Sequence, residues 1–430
     1  MTTFTAMPKY EVYKDSGVEW IGEIPKEWST RKVKYLFRIG RGRVISQQEL
    51  DDNGCYPVYS SQTQNDGILG YISTFDFDCE QITWTTDGAN AGTVFLRKGK
   101  HNCTNVCGTL QPISKQKISL EFLKNALSIA AQFYKRPDTN GAKIMNGEMA
   151  EIFVTFPPLE AQTAIANFLD EKTAKIDEAI AIKEKQIELL KERKQIIIQL
   201  AVTQGLDLTV PMKDSGVEWI GKIPAHWEVK KIKYFIDILP GYAFKSELYS
   251  TNPSDLKLLR GINVSPDKIK WDEVAYWSKE KMAGLENFIL KKGDLVIAMD
   301  RPWISTGIRV AEIAESDLPC LLLQRVGRIR GINHFSTKYI KLLLSTELFL
   351  SYFEPMLTGI SVPHISTEQI SGFCCPIPPE DEQNKILEHI NLESKQFDRI
   401  ISLLNIEIEK LNEYKTTLIN SAVTGKIKVV

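Results

Sequence analysis

The chain has 430 residues, 53 Lys+Arg against 54 Asp+Glu, 43% hydrophobic residues and a formal charge of −1. That length gives two or three domains, each with its own core. The near-neutral balance excludes a uniformly basic binder but leaves segregated charge open. No apolar run approaches the ~20 residues that span a bilayer. The first residues have no signal-peptide core, so a cytoplasmic protein is expected.

Residues 14–28 read KDSGVEWIGEIPKEW. Behind them, residues 30–157 mix short apolar runs with glycine and turn residues. Residues 81–86 and 93–96 are strand-like, and 120–134 have helical spacing. Three loops offer donors and acceptors suited to a nucleic acid: Arg41-Gly42-Arg43, the stretch 85–92 with Thr86, Asp87 and Asn90, and 140–143 with Lys143. His101, Cys103 and Cys107 resemble three metal ligands, but no standard zinc spacing supplies a fourth. The seven cysteines read as buried thiols rather than a disulfide framework.

Pro157-Pro158 then opens a long helix. Its stripe runs Ile165, Leu169, Lys172, Ile176, Ile180, Lys183, Ile187, Leu190, Lys194, Ile197, Ala201, the spacing of a coiled-coil seam. Gly205 stands just past its end, where a C-terminal glycine belongs. Residues 213–227 restate the opening as KDSGVEWIGKIPAHW, identical at twelve of fifteen positions at an offset of 199.

Residues 229–377 form a second mixed stretch, strand-like at 294–298 and 308–310 and helical at 337–353. Its candidate contacts begin with Tyr242 and Lys245 in GYAFKS and Arg260 and Asn263 in RGIN. Arg301 and Trp303 follow a strand in the place that Thr86 and Asn90 hold in the first stretch. Ser361 and His364 precede the second long helix as Lys143 precedes the first. Pro378-Pro379 opens that helix. Its stripe, Ile386 to Ala422, maps member for member onto the first at an offset of 221, and Gly425 follows it.

A near-constant frame thus holds two unlike inserts. The boundaries are 1–156 and 207–377 for two globular domains, and 157–206 and 378–430 for two long helices. Each helix covers about 44 residues, or ~65 Å. A helix that long with one narrow apolar stripe needs a partner, and its own repeat is the simplest one. The fold class is therefore mixed α/β, two globular domains joined by two long antiparallel coiled-coil helices in a pseudo-twofold repeat. The seam lysines Lys172, Lys183 and Lys194 are expected to fix register.

Residues 30–157 carry a net charge of +3, residues 229–377 also +3, and the remainder −7. Basic globules on an acidic frame suit DNA. Catalytic signatures are missing. There is no N/D-P-P-Y/F loop and no GxxxxGK[ST]. A formal PD…DxK pattern (Asp138, Asp170, Lys172) puts its last two members on a helix rather than the strand that metal-dependent hydrolysis requires. The histidines form no acid–base constellation. A DNA-recognition protein and a coiled-coil adaptor with two protein-binding domains remain as readings.

The frame resembles the specificity subunit of type I restriction–modification enzymes over essentially the whole chain. The carriers are VEWIGEIPKEW and VEWIGKIPAHW, PPLEAQTAIANFLDEKTAKIDEAIAIKEKQIELLKERKQ with AVTQGLD, and PPEDEQNKILEHI with NEYKTTLINSAVTGKI. GYAFKS and LLRGIN are similar to patterns of that family, and the first insert resembles a different subtype. The resemblance implies two target-recognition domains, each reading half of a split, asymmetric double-stranded DNA target, with the helices setting the gap. It implies a non-catalytic chain with no cofactor of its own. Its partners would be two methyltransferase subunits, using S-adenosylmethionine, and restriction subunits, using ATP and Mg. The system would serve phage defence.

Overall fold

Two helical stripes and two strand-rich inserts have to bury their apolar faces, and they do so in two compact units. One is Met1–Glu184 with Leu404–Val430, the other Lys185–Leu403. The structure, a computed structural model, describes residues 7–114, 116–139, 141–305, 307–356 and 363–429. The α-helices among these are α1 Leu120–Tyr134, α2 Asn146–Glu151, α3 Leu159–Gln204, α4 Thr337–Leu344, α5 Glu347–Phe353, α6 Thr367–Gly372 and α7 Glu380–Val423. None is long and apolar enough to cross a membrane.

Each unit contains two corresponding sheets. In the first unit a four-stranded antiparallel sheet runs Phe37–Arg41, Cys107–Pro112, Gln81–Thr85, Val94–Arg97; in the second it runs Ile236–Pro240, Val326–Gly331, Leu295–Ala298, Val310–Glu312. A second sheet contains a parallel pair, Tyr56–Tyr59 with Lys100–Cys103 at the centre of four strands in one unit, and Leu256–Leu259 with Cys320–Leu322 in a three-stranded sheet in the other. One fold is used twice although the inserts share little sequence. The central strands, Gln81–Thr85 and Leu295–Ala298, are buried at every residue, and Leu295 and Ile297 face one core of the second unit while Val296 and Ala298 face another.

Every residue of both predicted helix stripes is buried or half-buried. In the first unit, Ile165, Leu169 and Ile176 of α3 share a core with Leu418, Ala422 and Val423 of α7 and with α1. In the second, Ile198, Ala201 and Val202 of α3 meet Ile386 and Ile390 of α7. The helices are antiparallel in each unit. Lys415 lies 2.6 Å from Asp177 while Lys183 pairs with Glu407, and Lys194 lies 2.8 Å from Asp398. The pairs Lys415–Asp177 and Lys194–Asp398 exchange under the 221-residue offset, so the repeat extends to the ion pairs. Lys172 has no partner across the seam among the described residues; its nearest carboxylate is Glu171 on the same helix, at 3.9 Å.

The Pro-Pro-x-x-x-Gln element of the frame has a structural task. Gln162 is fully buried, accepts from Ser119 N at 2.9 Å and donates to Pro157 O at 2.8 Å. Gln383 does the same with Ser336 N (3.0 Å) and Pro378 O (3.1 Å). Ser119 and Ser336 are the N-caps of α1 and α4. The glutamine therefore staples the start of each insert's helix to the start of the long helix, satisfying groups that burial would otherwise leave unpaired.

Some elements differ from the sequence expectation. The helix expected over 337–353 is interrupted: Ser345 leaves helical geometry and Thr346 is extended (φ −97°, ψ 161°), its hydroxyl donating to Leu343 O at 2.6 Å. Such hydroxyl bonds compete with the helix ladder. The strand expected at 308–310 is two strands, because Gly307–Ile308 pairs with Trp303–Ile304 while Val310–Glu312 joins the main sheet. Of the cysteines, Cys103, Cys107, Cys320 and Cys375 are buried. Cys79 and Cys374 are only half-buried and Cys55 is exposed, which corrects the uniform burial expected.

Candidate nucleic-acid interface

The first strand of each main sheet ends at a glycine required by close approach. A Cβ on Gly42 would lie 2.0 Å from Cys103 O, and one on Gly241 would lie 2.1 Å from Leu323 O. No side chain fits there, and the chain passes over its neighbour to place Arg43 and Tyr242 in the same parallel bridge, to Thr104 and Leu323 respectively. Arg43 is gripped by Glu49 at 2.6 Å and Asp76 at 3.1 Å; the hydrogen bond it donates to Glu49, reinforced by both carboxylates' charge, raises its pKa. Tyr242 is exposed and edge-packed on Phe244. Arg41 is exposed, with Nη2 3.3 Å from Met145 Sδ. Lys245 is exposed and makes no ion pair among the described residues.

The turns after the central strands superimpose by register. Trp84 faces Gly108 as Ile297 faces Gly327, which makes Asp87 the counterpart of Asp300 and Gly88 that of Arg301. Thr86 O accepts from Ile144 N at 2.8 Å, and Met299 O accepts from Ile365 N at 2.9 Å. Lys143 accordingly lies beside Asp87 as His364 lies beside Asp300. The four residues form two equivalent edges, each an aspartate beside a basic or imidazole side chain. Gly88 and Arg301 are both left-handed, with φ 88° and 45°. Lys143 bonds Asp138 at 3.0 Å, which lowers the Asp138 pKa. Asn90 is exposed, and its carbonyl accepts from Thr93 Oγ1 at 2.8 Å. Trp303 is half-buried against the second core. Ser361 lies outside the described residues.

Two expected contact residues are withdrawn from solvent. Thr86 is buried and its hydroxyl donates to Val106 O at 3.1 Å. Asn263 is buried, donates to Lys270 O and Glu273 O, both at 2.9 Å, and accepts from Arg260 N at 3.0 Å. Its side chain shapes the loop and has no group left for a base. Arg260 is half-buried and donates to Glu273 O at 2.9 Å.

Sequence reasoning missed Arg325 and Arg309. Arg325 is left-handed (φ 67°), largely exposed, and 3.5 Å from Asp300. Arg309 is half-buried, and burial, helped by nearby Arg301, lowers its pKa. Neither carries a local signal, since their neighbours come from other strands.

Exposed Arg and His groups and half-buried Asp and Lys groups at these strand ends can read base edges, an aspartate accepting from an exocyclic amine and an arginine donating to guanine. His101, by contrast, is buried between Gln81 Nε2 and Gly99 O, each at 2.8 Å. No three His, Cys, Asp or Glu side chains converge on a metal position among the described residues. Asp170 lies exposed on α3 while Asp138 sits on a hairpin strand, so the formal nuclease pattern is split between two elements.

A family model described as the type I restriction modification DNA specificity domain matches residues 25–192 and 224–413. The chain is 30% identical over 419 residues to the type I restriction enzyme MjaVIII specificity subunit of Methanocaldococcus jannaschii, covering 94% of each chain. It is 34% identical over 206 residues to the EcoAI specificity subunit of Escherichia coli, which covers 47% of this chain and 34% of that one. A solved structure, described as the structural basis of complex assembly and conformational transition of the type I R-M system, matches with a TM-score of 0.67. At 13% identity, over 93% of this chain and 98% of that one, the likeness is one of fold.

Proposed function

The chain belongs to the type I restriction–modification DNA specificity family, and from that membership we propose that its two units each read one half of a split, asymmetric DNA target. The observation that supports this reading is the repeated edge. The same register position holds Asp87, Gly88 and Lys143 in one unit and Asp300, Arg301 and His364 in the other. Equal placement with unequal side chains suits two sites that read different bases on one docking geometry. The +3 charge of each insert suits phosphate contacts, which position the protein without specifying sequence.

The candidates are the exposed Arg41, Asn90, Tyr242, Lys245, Arg301, Arg325 and His364 and the half-buried Asp87 and Lys143. Arg43 and Arg260, held by carboxylate or carbonyl partners, hold their loops in shape. The chain itself is non-catalytic in this reading and works in the cytoplasm. Methyltransferase subunits, two per chain, hold S-adenosylmethionine and take the target adenine out of the stack. Restriction subunits hold ATP and Mg.

The experiment is methylome sequencing of a methylation-free host expressing the chain with its cognate methyltransferase subunit. One split, asymmetric adenine-methylated motif that disappears when the chain is omitted is the expected result. Exchange of one insert should replace one half of that motif. An assembled, active methyltransferase giving no motif would overturn the reading and leave the adaptor.

A further inference from the structure

Arg309 stands beside the central strand of the second unit, its carbonyl accepting from Ala298 N at 2.9 Å. Its guanidinium turns back along the recognition edge. Nε donates to Val264 O at 2.9 Å, Nη1 to Asp300 O at 3.0 Å and Arg301 O at 3.3 Å, and Nη2 to Gly261 O. A guanidinium has five N–H groups, and bonds to four carbonyls leave this one little to offer a base. The bonds instead tie the Asp300–Arg301 turn to the loop at Gly261. Arg301 is left-handed at φ 45°, a conformation rare for a residue with a side chain, so the turn needs such a hold.

The first unit has a different residue in the same place. Val94 faces Trp84 as Val310 faces Ile297, which puts Thr93 at the position of Arg309. Thr85 N donates to Thr93 O at 3.0 Å, the counterpart of the Ala298 bond. Thr93 Oγ1 donates to Asn90 O at 2.8 Å, and Thr85 Oγ1 donates to the same carbonyl. A pair of hydroxyls closes the 87–92 loop where a guanidinium closes the 300–301 turn.

We propose that Thr93 and Arg309 are positioning residues that clamp the base-reading turns of the two units, each setting discrimination in one half of the DNA target. The proposal rests on the recognition-subunit reading. A positioning group acts on specificity because a base contact displaced by an ångström no longer separates right from wrong partners.

The test uses the chain assembled with its methyltransferase subunit in a methylation-free host. Methylation is counted at genomic sites that depart from the motif by one base, and insert exchange assigns each half-site to its unit. R309M should relax discrimination in the half-site of the second unit by roughly tenfold, about one base-pair mismatch, and leave the other half unchanged. T93V should do the reverse. T93S, which restores the hydroxyl, and R309K, which restores one donor, should recover discrimination, the lysine in part.

Equal weakening of both halves by either variant, or no change, overturns the proposal. Should R309M fail to assemble, the partial loss expected of R309K, confined to the half-site of the second unit, carries the test; should T93V fail, T93A, which also lacks the hydroxyl, takes its place. Failure of R309K and T93A to assemble would make the residues general folding determinants and overturn it as well. A wild-type chain that yields no split motif would instead sink the recognition reading itself.

Discussion

Gln162 and Gln383 are the residues where the repeated frame grips its inserts. Each is buried and bonds a helix N-cap and a proline carbonyl. Replacement by leucine keeps the volume but strands a buried N–H and a buried carbonyl, at ~1–3 kcal/mol for each unsatisfied group. Q162L and Q383L should each lower the denaturation midpoint, measured by chemical unfolding, with m unchanged. The sequence showed this glutamine as a repeated letter; its task required the fold, because Ser119 is 43 residues away. The thiols behave by burial in the same way. Cys55 is exposed and should label at once, whereas Cys320, pushed up to about 12 by burial, should not label until the chain unfolds. Its folded pKa is raised above the ordinary 9.0. Its contribution to stability is therefore fully present below that value and is lost as pH rises from about 9 to about 12. The unfolding free energy measured across that window should fall less steeply for C320A than for the wild type.

At the scale of the element, the long helices were legible because a seam repeats over many turns and every turn reports the same face. The structure adds the charges that cross the seam. The lysines of the Lys194–Asp398 and Lys415–Asp177 pairs are about one quarter exposed and their aspartates more than half. Pairs so placed give ~0–1 kcal/mol, so their role is register rather than adhesion. K194M should change the unfolding free energy by less than ~1 kcal/mol. I386A, at a residue 1% exposed, should cost ~2–5 kcal/mol. Equal effects of the two variants in urea unfolding would contradict that division. The short elements were less legible. The break between α4 and α5 carries two hydroxyl bonds back into α4, from Ser345 to Lys341 O and from Thr346 to Leu343 O, and the split at Arg309 arises because the strands either side of it pair with different partners.

For the molecule as a whole, the first unit is closed by both ends of the described chain. Tyr13 donates to Gly425 O at 3.0 Å, and Lys428 N donates to Pro8 O at 2.6 Å. Leu418 belongs to the same core as Leu123 and Leu127 of α1. L418A should therefore loosen the first unit although it lies about 290 residues further along the chain. Hydrogen exchange should quicken in α1 and stay unchanged in α4 and α5 of the second unit. Uniform quickening in both would show that the units do not hold their cores separately.

The sequence by itself determined the duplication, the two long helices with their seam, the mixed α/β inserts and the family. These rest on periodic or repeated patterns, in which each residue restates what its neighbours say. Tertiary structure alone decided which loop residues remain available at the edge proposed to read DNA. Asp87 and Lys143, or Asp300, Arg309 and Arg325, come from separate strands, and strand pairing, not spacing along the chain, brings them together. It also decided that Asn263 and Thr86 turn inward. A polar side chain in a loop looks the same in sequence whether it faces solvent or satisfies a buried backbone group, and only the positions of its partners tell the two apart.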